Sequence, residues 1–310
     1  MVSGLQWPPS MGNPVIRPPA IGRVFFVRST GVDAVGRGLD PGTPLQTITY
    51  ALTLCSADNN DYIIVMGVTH TDEAAWPIDV DISTVHIIGL RGAPYYDQSP
   101  TLRAIGGGNA CFELSAWGIE LAGFELGAGD NATPIVQSPV GPGTIGGWWI
   151  HHCMFGWLAG GSMGSDGIWV QNTHDAAACI IEDCGFNGTV VSDGLTVNGI
   201  HIQGNSTRSI FRRNLFRMIP GIAINCVQNG SDIGAIVDNL FKCVDSATGE
   251  AITMQLGVGN AMISGNQAGG QDNAMGFNPY RDLSVAGAGN ALNAWGINYV
   301  DIVATLPVIV

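Results

Sequence analysis

Residues 211–216 read FRRNLF, and this stretch contains the pattern that organises the chain. Its frame is an apolar residue, two outward residues, Asn or a small residue, any residue, and Phe or another apolar residue. The same frame recurs as VHIIGL (85–90), IELAGF (119–124), IHHCMF (150–155), IEDCGF (181–186), IVDNLF (236–241) and ISGNQA (263–268). The repeats lie 25 to 34 residues apart. A fixed frame at such a period predicts one structural unit per repeat.

A second frame lies between these stretches, as GIWVQ (167–171), GIHIQ (199–203), GIAIN (221–225) and AITMQ (251–255). Its apolar residues alternate with polar ones, which is the period of a β-strand. Two short strands per repeat predict an all-β fold, a parallel solenoid of about seven to eight coils over residues 61–282. Like residues then stack in columns. We expect Phe124, Phe155, Phe186, Phe216 and Phe241 in a core column, and Ile88, Ala122, Cys153, Cys184, Asn214, Asn239 and Asn266 in a column at a turn.

Both ends of the chain depart from this pattern. Residues 23–60 predict an N-terminal cap with a short helix, in which Thr43 and Gln46 have the spacing of a capping box and Pro44 takes the first helical position. Such a helix would cover the open edge of the first coil. Residues 1–22 contain five Pro and predict an extended arm. Residues 283–310 predict a C-terminal cap or an oligomerisation tail.

The opening stretch GVDAVGRGLDPGTPLQTITYAL, the strand DYIIVMG and the coils that follow resemble the right-handed parallel β-helix, or pectin-lyase-like, superfamily. The resemblance covers roughly residues 24–282 and is closest in character to phage spike and decoration β-helix proteins. It implies the fold. The superfamily also contains polysaccharide lyases and glycoside hydrolases, so the resemblance leaves the function open.

Composition excludes several classes of function. The net charge is −13 and Lys242 is the one Lys, so we expect no nucleic-acid partner, because such proteins present basic stripes. No apolar run reaches about 18 residues, so we expect no membrane insertion. The start of the chain lacks the features of a secretion signal. The six His form no HxH or HExxH motif, and we expect neither a metal nor a cofactor.

Charged residues occupy the two outward positions of the frame in neighbouring coils. Glu182–Asp183, Arg212–Arg213 and Val237–Asp238 follow one another there. Opposite charges on adjacent strands attract, so one interpretation is a charge ladder that fixes the register. The other interpretation is a catalytic set of Glu182, Asp183, Arg213 and Asp238 in a groove. We expect Arg213 to lie between Glu182 and Asp238 and to pair with both, which disfavours a glycosidase. The resemblance implies Arg and acidic residues on such a face in lyases, usually with calcium, but the sequence has no dense Asp cluster for calcium.

Tryptophans mark a second candidate surface. Alternation predicts that Trp117 and Trp148 point into the core, whereas Trp149 and Trp169 point outward. The outward apolar residues continue in the column of Trp149 as Ile180, Ile210 and Met262. An exposed apolar stripe indicates a subunit interface. A covering loop, or a sugar-binding platform on Trp149 and Trp169, remains an alternative at this point.

Together these features favour a structural virion protein of a tailed phage, either a trimeric capsid decoration (cement) protein or a short spike. We expect it on the virion surface, made in the host cytoplasm without a signal peptide and attached to capsid or other virion proteins through residues 1–22. The virus assignment rests on the resemblance. The alternative is a tailspike-like protein that binds a surface polysaccharide, or an enzyme that cleaves one as a lyase or a glycoside hydrolase.

Overall fold

The computed structural model describes residues 22–67, 69–90, 100–139, 143–156, 164–172, 174–188, 195–204, 206–227, 233–242, 250–254, 260–269, 280–283, 293–300, 303–305 and 308–309. The predicted arm therefore lies almost entirely outside the described residues. Three long parallel sheets run along these residues, and each coil contributes one strand to each sheet. This is the architecture of a right-handed parallel β-helix, so the predicted fold is confirmed.

Sheet 1 contains the first half of the repeated frame. Its ten strands are β1 Val24–Arg28, β2 Asp61–Met66, β5 Val85–Gly89, β8 Glu120–Ala122, β12 Trp149–His151, β16 Ile180–Glu182, β19 Ile210–Arg212, β22 Ala235–Val237, β25 Met262–Ser264 and β28 Ala294–Trp295. Side chains alternate between the core and the outer face along each strand, as in any strand of a half-buried sheet.

Sheet 2 follows sheet 1 in each coil after a sharp corner. Its strands are β3 Thr69–His70, β6 Thr101–Arg103, β9 Glu125–Gly127, β13 Met154–Phe155, β17 Gly185–Asn187, β20 Leu215–Arg217, β23 Leu240–Lys242, β26 Gln267–Gly269, β29 Asn298–Val300 and β30 Val303–Thr305. The last pair, β29 and β30, is antiparallel.

Sheet 3 completes each coil. Its strands are β4 Ile78–Val80, β7 Phe112–Leu114, β10 Val136–Gln137, β14 Asp166–Val170, β18 Asn198–Ile202, β21 Ile222–Cys226, β24 Glu250–Met254, β27 Tyr280–Asp282 and β31 Val308–Ile309. A separate short pair joins β11 Gly143–Gly146 to β15 His174–Ala177.

Left-handed backbone conformations turn the chain on both sides of sheet 1. Ala178 and Arg208 have φ of 56° and 61° before strands β16 and β19, and Asp183 and Arg213 have φ of 53° and 55° after them. Gly118, Gly147, Gly123 and Gly265 take the same role in other coils. Because this conformation costs a non-glycine residue about 1–2 kcal/mol, the corners hold it through the surrounding packing.

Two columns stack in the core beside the second corner. The rings of Phe155, Phe186, Phe216 and Phe241 lie parallel with centroids 4.7 to 5.0 Å apart. Asn214, Asn239 and Asn266 each donate from Nδ2 to the Oδ1 of the next amide in the column, which ends at Asn298, at 2.9 to 3.1 Å. Both predicted columns exist, and the buried amides satisfy one another as buried polar groups must.

The predicted frame is wrong in the first two coils. Leu126, and not Phe124, faces Phe155, and His151 faces Ala122. Phe124 instead packs against Phe112 at 6.2 Å. The error is a shift of two residues, which leaves the in–out alternation unchanged and so cannot be detected from the hydrophobic pattern.

Trp117 shows the consequence of that shift. The corresponding inward position belongs to Ile119, which is fully buried, whereas Trp117 lies at the corner before sheet 1 and is 42% exposed. The prediction that Trp117 points into the core is therefore wrong. Trp148 is buried as expected and donates from Nε1 to the carbonyl of Ala116 at 3.2 Å.

The cap forms from different residues than the capping-box pattern indicated. Helix α1 spans Ile48–Leu54, and Thr47 is its N-cap, accepting from the N–H of Tyr50. Two carboxylates from distant segments accept the remaining N–H groups: Asp33 binds those of Gln46 and Thr47, and Glu73 binds those of Ile48 and Thr49. Negative charge at this end also complements the helix dipole.

The stack of coils continues past residue 282, since β28 pairs with β25 and β29 pairs with β26. The assignment of residues 283–310 as a cap or oligomerisation tail stays a prediction. In the described part of the chain, no helix is long and apolar enough to cross a membrane.

Candidate functional sites on the outer faces of sheets 1 and 3

The charged residues predicted from the sequence meet at the edge of sheet 1. Strand pairing places Glu182 opposite Arg212, as expected. Arg212 Nε lies 2.5 Å from Glu182 Oε2, and Arg213 contacts the same oxygen at 2.6 Å. Arg213 also donates to both carboxylate oxygens of Asp183, from Nε at 2.9 Å and from Nη2 at 2.7 Å. Together with Trp149, described next, these residues form the Glu182 cluster.

The corner explains why two adjacent Arg side chains reach the same acids. Arg212 ends a strand and points outward, and Arg213 would point inward if the strand continued. Its left-handed backbone instead turns the chain, so that its side chain also stays outside. Arg212 and Arg213 therefore both belong to the outer face of a single coil, next to the acids of the preceding coil.

Glu182 is held in its charged form. Its side chain is only 7% exposed, and Trp149 Nε1 donates to its second oxygen at 2.8 Å. Burial raises the pKa of Glu182, but the hydrogen bonds from Arg212 and Trp149 and the charges of both Arg outweigh it and lower the pKa to about 2. A carboxyl group in this state cannot donate a proton at neutral pH.

Asp238 does not join the cluster. It is exposed at the corresponding corner of the next coil, where it has φ of 57°. Among the described residues, no ion pair connects it to Arg213, so the expectation that Arg213 pairs with acids on both sides is wrong. The candidate catalytic set is therefore three paired groups and one separate acid.

A second cluster, which the sequence analysis missed, lies on the same face. Glu120 binds His86 Nδ1 at 2.5 Å and His151 Nε2 at 2.8 Å, and His151 Nδ1 lies 2.8 Å from His152 Nδ1. Burial raises the pKa of Glu120, but its hydrogen bonds to the two His lower it to about 2. We call these four residues the Glu120 cluster. The repeated frame places His86 and Glu120 at the same position of neighbouring coils, and the strand pairing agrees.

Trp149 connects the two clusters. Its ring packs at a tilt of 31° against that of His151, with centroids 4.2 Å apart, while its Nε1 donates to Glu182. Trp149 is still 42% exposed. Strand pairing continues from it in one straight column through Ile180, Ile210, Ala235 and Met262, which we call the apolar stripe. Met262 at its end is 51% exposed.

Trp169 belongs to a different surface. It lies on sheet 3, with Gln137 and His201 on the neighbouring strands. The structure therefore does not bring Trp149 and Trp169 together on one platform. The ring nitrogen of Trp169 donates to Gln203 Oε1 at 3.0 Å, which leaves the half-buried ring as part of the outer face.

Polar side chains accompany Trp169 along sheet 3. Gln137 donates to Glu113 at 2.8 Å, and burial raises the pKa of Glu113. His201 Nδ1 lies 3.3 Å from Asp166. In the next coil, the buried Oδ1 of Asn225 has no hydrogen-bond partner among the described residues. This column offers donors and acceptors beside a flat ring.

Neither surface presents a metal centre. Within the described ranges, no group of three His, Cys, Asp or Glu side chains is arranged to hold a metal ion. In the Glu120 cluster the carboxylate lies between the two rings, and both of its oxygens accept from His nitrogens.

No family model and no curated protein matches the sequence. Among solved structures, the chain is similar to the pectin methylesterase from Aspergillus niger, with a TM-score of 0.54 and 14% identity over 88% of this chain and 85% of that one. A rhamnogalacturonan lyase gives a TM-score of 0.41 at 12% identity, covering 89% of this chain and 87% of its own. The Dettilon tailspike protein gives 0.38 at 12% identity, covering 82% and 57%.

The methylesterase comparison shows the fold. The chain has the parallel β-helix fold of that structure, in agreement with its three sheets. At this identity the likeness says nothing about activity, because one fold carries many functions. The function has to be argued from the chain's own surfaces.

Proposed function

We propose that this chain is a structural virion protein of a tailed phage, a trimeric β-helix capsid decoration protein or a short spike. The observation that carries the proposal is the apolar stripe on sheet 1. Five residues in register, from Trp149 to Met262, run over five strands, or about 19 Å at the strand spacing. Trp149 and Met262 at its two ends are exposed and the three residues between them are half-buried, and apolar surface in one line favours association rather than catalysis.

The direction of the stripe favours a parallel oligomer. A column of in-register residues follows the axis of the rod, so identical stripes meet along their whole length when copies stand side by side in the same direction. Cyclic symmetry closes such an assembly without leaving a stripe exposed. We propose that the assembly is a trimer.

The Glu182 cluster supports a structural role for the neighbouring edge. Its carboxylate accepts from three donors, and its pKa of about 2 removes it from acid–base work near neutral pH. The placement on a virion rests on the resemblance of the coils to phage spike-type β-helices, with residues 1–22 as the segment that would contact other virion proteins.

Association is tested by analytical ultracentrifugation of the purified full chain. We expect a mass three times that of one chain, and we expect Met262→Lys to dissociate it by placing charge in the stripe. Ile105→Lys is the matched control, because Ile105 is 57% exposed and lies outside the stripe. A monomeric wild type, or equal dissociation by both variants, would contradict the proposed interface.

Location is tested by immunogold electron microscopy of the native source material with an antibody to this chain. Label spread over icosahedral shells supports a decoration protein, and label at a tail tip supports a spike. Particles without label would contradict a virion role.

A second candidate is a polysaccharide-binding or polysaccharide-cleaving protein of the tailspike kind. It is favoured by the sheet 3 column, where Trp169 lies between Gln137 and His201. Binding to surface polysaccharide that is lost in Trp169→Ala but kept in Trp117→Ala would support this candidate. Trp117 is an exposed Trp at a corner and serves as the control.

Cleavage is tested with Arg213→Ala. A structural cluster predicts a lower melting temperature and no change in sugar release. Loss of sugar release at an unchanged melting temperature would instead make Glu182, Asp183 and Arg213 a catalytic set.

A further inference from the structure

Two buried thiols face each other across neighbouring coils. His151 pairs with Glu182 in sheet 1, and Met154 pairs with Gly185 in sheet 2. The residues in between must follow the same register, which places Cys153 opposite Cys184. They are 0% and 2% exposed, and the two thiols are hydrogen bonded to each other.

The separation suits a covalent bond. In-register residues on parallel neighbours lie about 4.8 Å apart, within the Cα distances of about 4.4 to 6.8 Å that a disulfide spans. The other contacts of the two sulfurs are hydrogen bonds to backbone carbonyls, for which a thiol is a weak donor. Cys153 Sγ approaches the carbonyls of His151 at 3.4 Å and Leu121 at 3.6 Å, and Cys184 Sγ approaches those of Glu182 at 3.3 Å and Ile150 at 3.7 Å.

A disulfide at this position would continue the side-chain links of the Asn column. Cys184 directly precedes Asn214 in the stack, and its N–H donates to Asn214 Oδ1 at 3.0 Å. From Asn214 onward, side-chain amides tie each coil to the next. At Cys153 and Cys184 the same column offers two thiols, so a disulfide would extend the side-chain linkage by one coil.

We propose that Cys153 and Cys184 form an intercoil disulfide when the protein meets a peroxide. Peroxide converts one thiol to a sulfenic acid as its O–O bond breaks and one water leaves. The second thiol then attacks that sulfur, the S–S bond forms and a second water leaves. Two thiols and one hydrogen peroxide give one disulfide and two waters.

Burial sets the conditions for this reaction. The pKa of Cys184 is raised well above its usual value, chiefly because the thiol is buried, so the reactive thiolate is scarce in the closed coil. Oxidation is therefore slow, and it proceeds when the coil opens locally. The same burial then protects the finished bond from thiol reductants.

The chain contains a matched control in Cys179. This thiol is 3% exposed and lies in the same coil as Cys184. Its neighbours in the stack are Trp148 and Ser209, because Ile180 pairs with Trp149 on one side and Ile210 on the other. Neither of these neighbours is a thiol, so Cys179 should stay reduced.

In the experiment, the full wild-type chain is incubated with hydrogen peroxide and then unfolded in denaturant that contains an alkylating reagent. Its peptides are then mapped by mass spectrometry without reduction. We expect one cross-linked peptide pair containing Cys153 and Cys184, and alkylated Cys179. The oxidised wild type should melt about 5 °C higher than the reduced one, and Cys184→Ser should show no such rise. Full alkylation of both residues, a cross-link that involves Cys179, or sulfinic acid in place of the bond would overturn the proposal.

Discussion

Replacing Glu182 with Gln is the sharpest test of the structural role assigned to the charged residues. The substitution keeps the size of the side chain and an acceptor for Trp149, but it removes the charge between Arg212 and Arg213. The pKa of Glu182 falls from 4.5 to about 2, a difference of about 2.5 units at about 1.36 kcal/mol each. The charged form therefore contributes about 3 kcal/mol to the free energy of unfolding at neutral pH.

This magnitude translates into a measurable melting shift. Unfolding entropy is about 2.1 cal/mol/K per residue, or about 0.65 kcal/mol/K for the 310 residues of this chain. We expect Glu182→Gln to lower the melting temperature by about 5 °C in differential scanning calorimetry at pH 7. The variant should unfold earlier at low salt and at high salt alike, because the carboxylate is buried and poorly screened.

Asp238→Asn is the matched control. Asp238 occupies the equivalent corner of the next coil, is exposed, and makes no ion pair within the described residues. Asn tolerates its left-handed backbone, so the melting temperature should stay within about 1 °C. If Glu182→Gln melted like the wild type, or if both variants fell equally, the charges at this edge would not brace the coils.

Three further outcomes follow from the same structure. Asn239→Ala should cost about 3 kcal/mol in urea unfolding, because it removes the acceptor of the buried backbone N–H of Asn214 and of one of the two Nδ2 hydrogens of that residue. Ala178→Gly should stabilise by about 0.5–1 kcal/mol in the same assay, because φ of 56° suits Gly. Acid titration followed by circular dichroism should show stability falling between about pH 4.5 and pH 2, since Glu120 and Glu182 have lowered pKa values of about 2 and their contribution disappears as they are protonated.

The fold could be predicted from the sequence because stacked coils require similar residues at equivalent positions, and this requirement makes the sequence repetitive. From Ile150 onward, the frame predicted the sheet 1 partners Ile181, Phe211, Ile236 and Ile263 correctly. In the two coils before it, the frame slipped by two residues. Since a shift of two keeps apolar residues inside, only the pairing of particular side chains could reveal the slip.

The cap and the Glu120 cluster required three-dimensional information. Asp33 and Glu73 come from segments far apart in sequence, and no local pattern connects them with the start of α1. The frame places His86 opposite Glu120, but only the side-chain geometry shows that His151 binds the other carboxylate oxygen. The ion pairs of Glu182 and Asp183 with the two Arg were predictable because these residues are adjacent in the frame. The separation of Asp238 from Arg213 depends on the direction of side chains at the corner.

Position along sheet 1 ties these features together. The Glu120 cluster, Trp149 and the Glu182 cluster form one connected set of contacts, and the apolar stripe begins at its centre. In a solenoid each coil contacts only its neighbours, so the surface is no more rigid than the links between adjacent coils.

Glu120 and Glu182 each bind residues of a neighbouring coil. Glu120 holds His151, whose ring contacts Trp149 on one side, and Glu182 accepts the hydrogen bond of Trp149 on the other. Together they fix the orientation of Trp149. A rigid aromatic residue loses little conformational freedom on association, which is why the proposed interface should depend on the charges beside it.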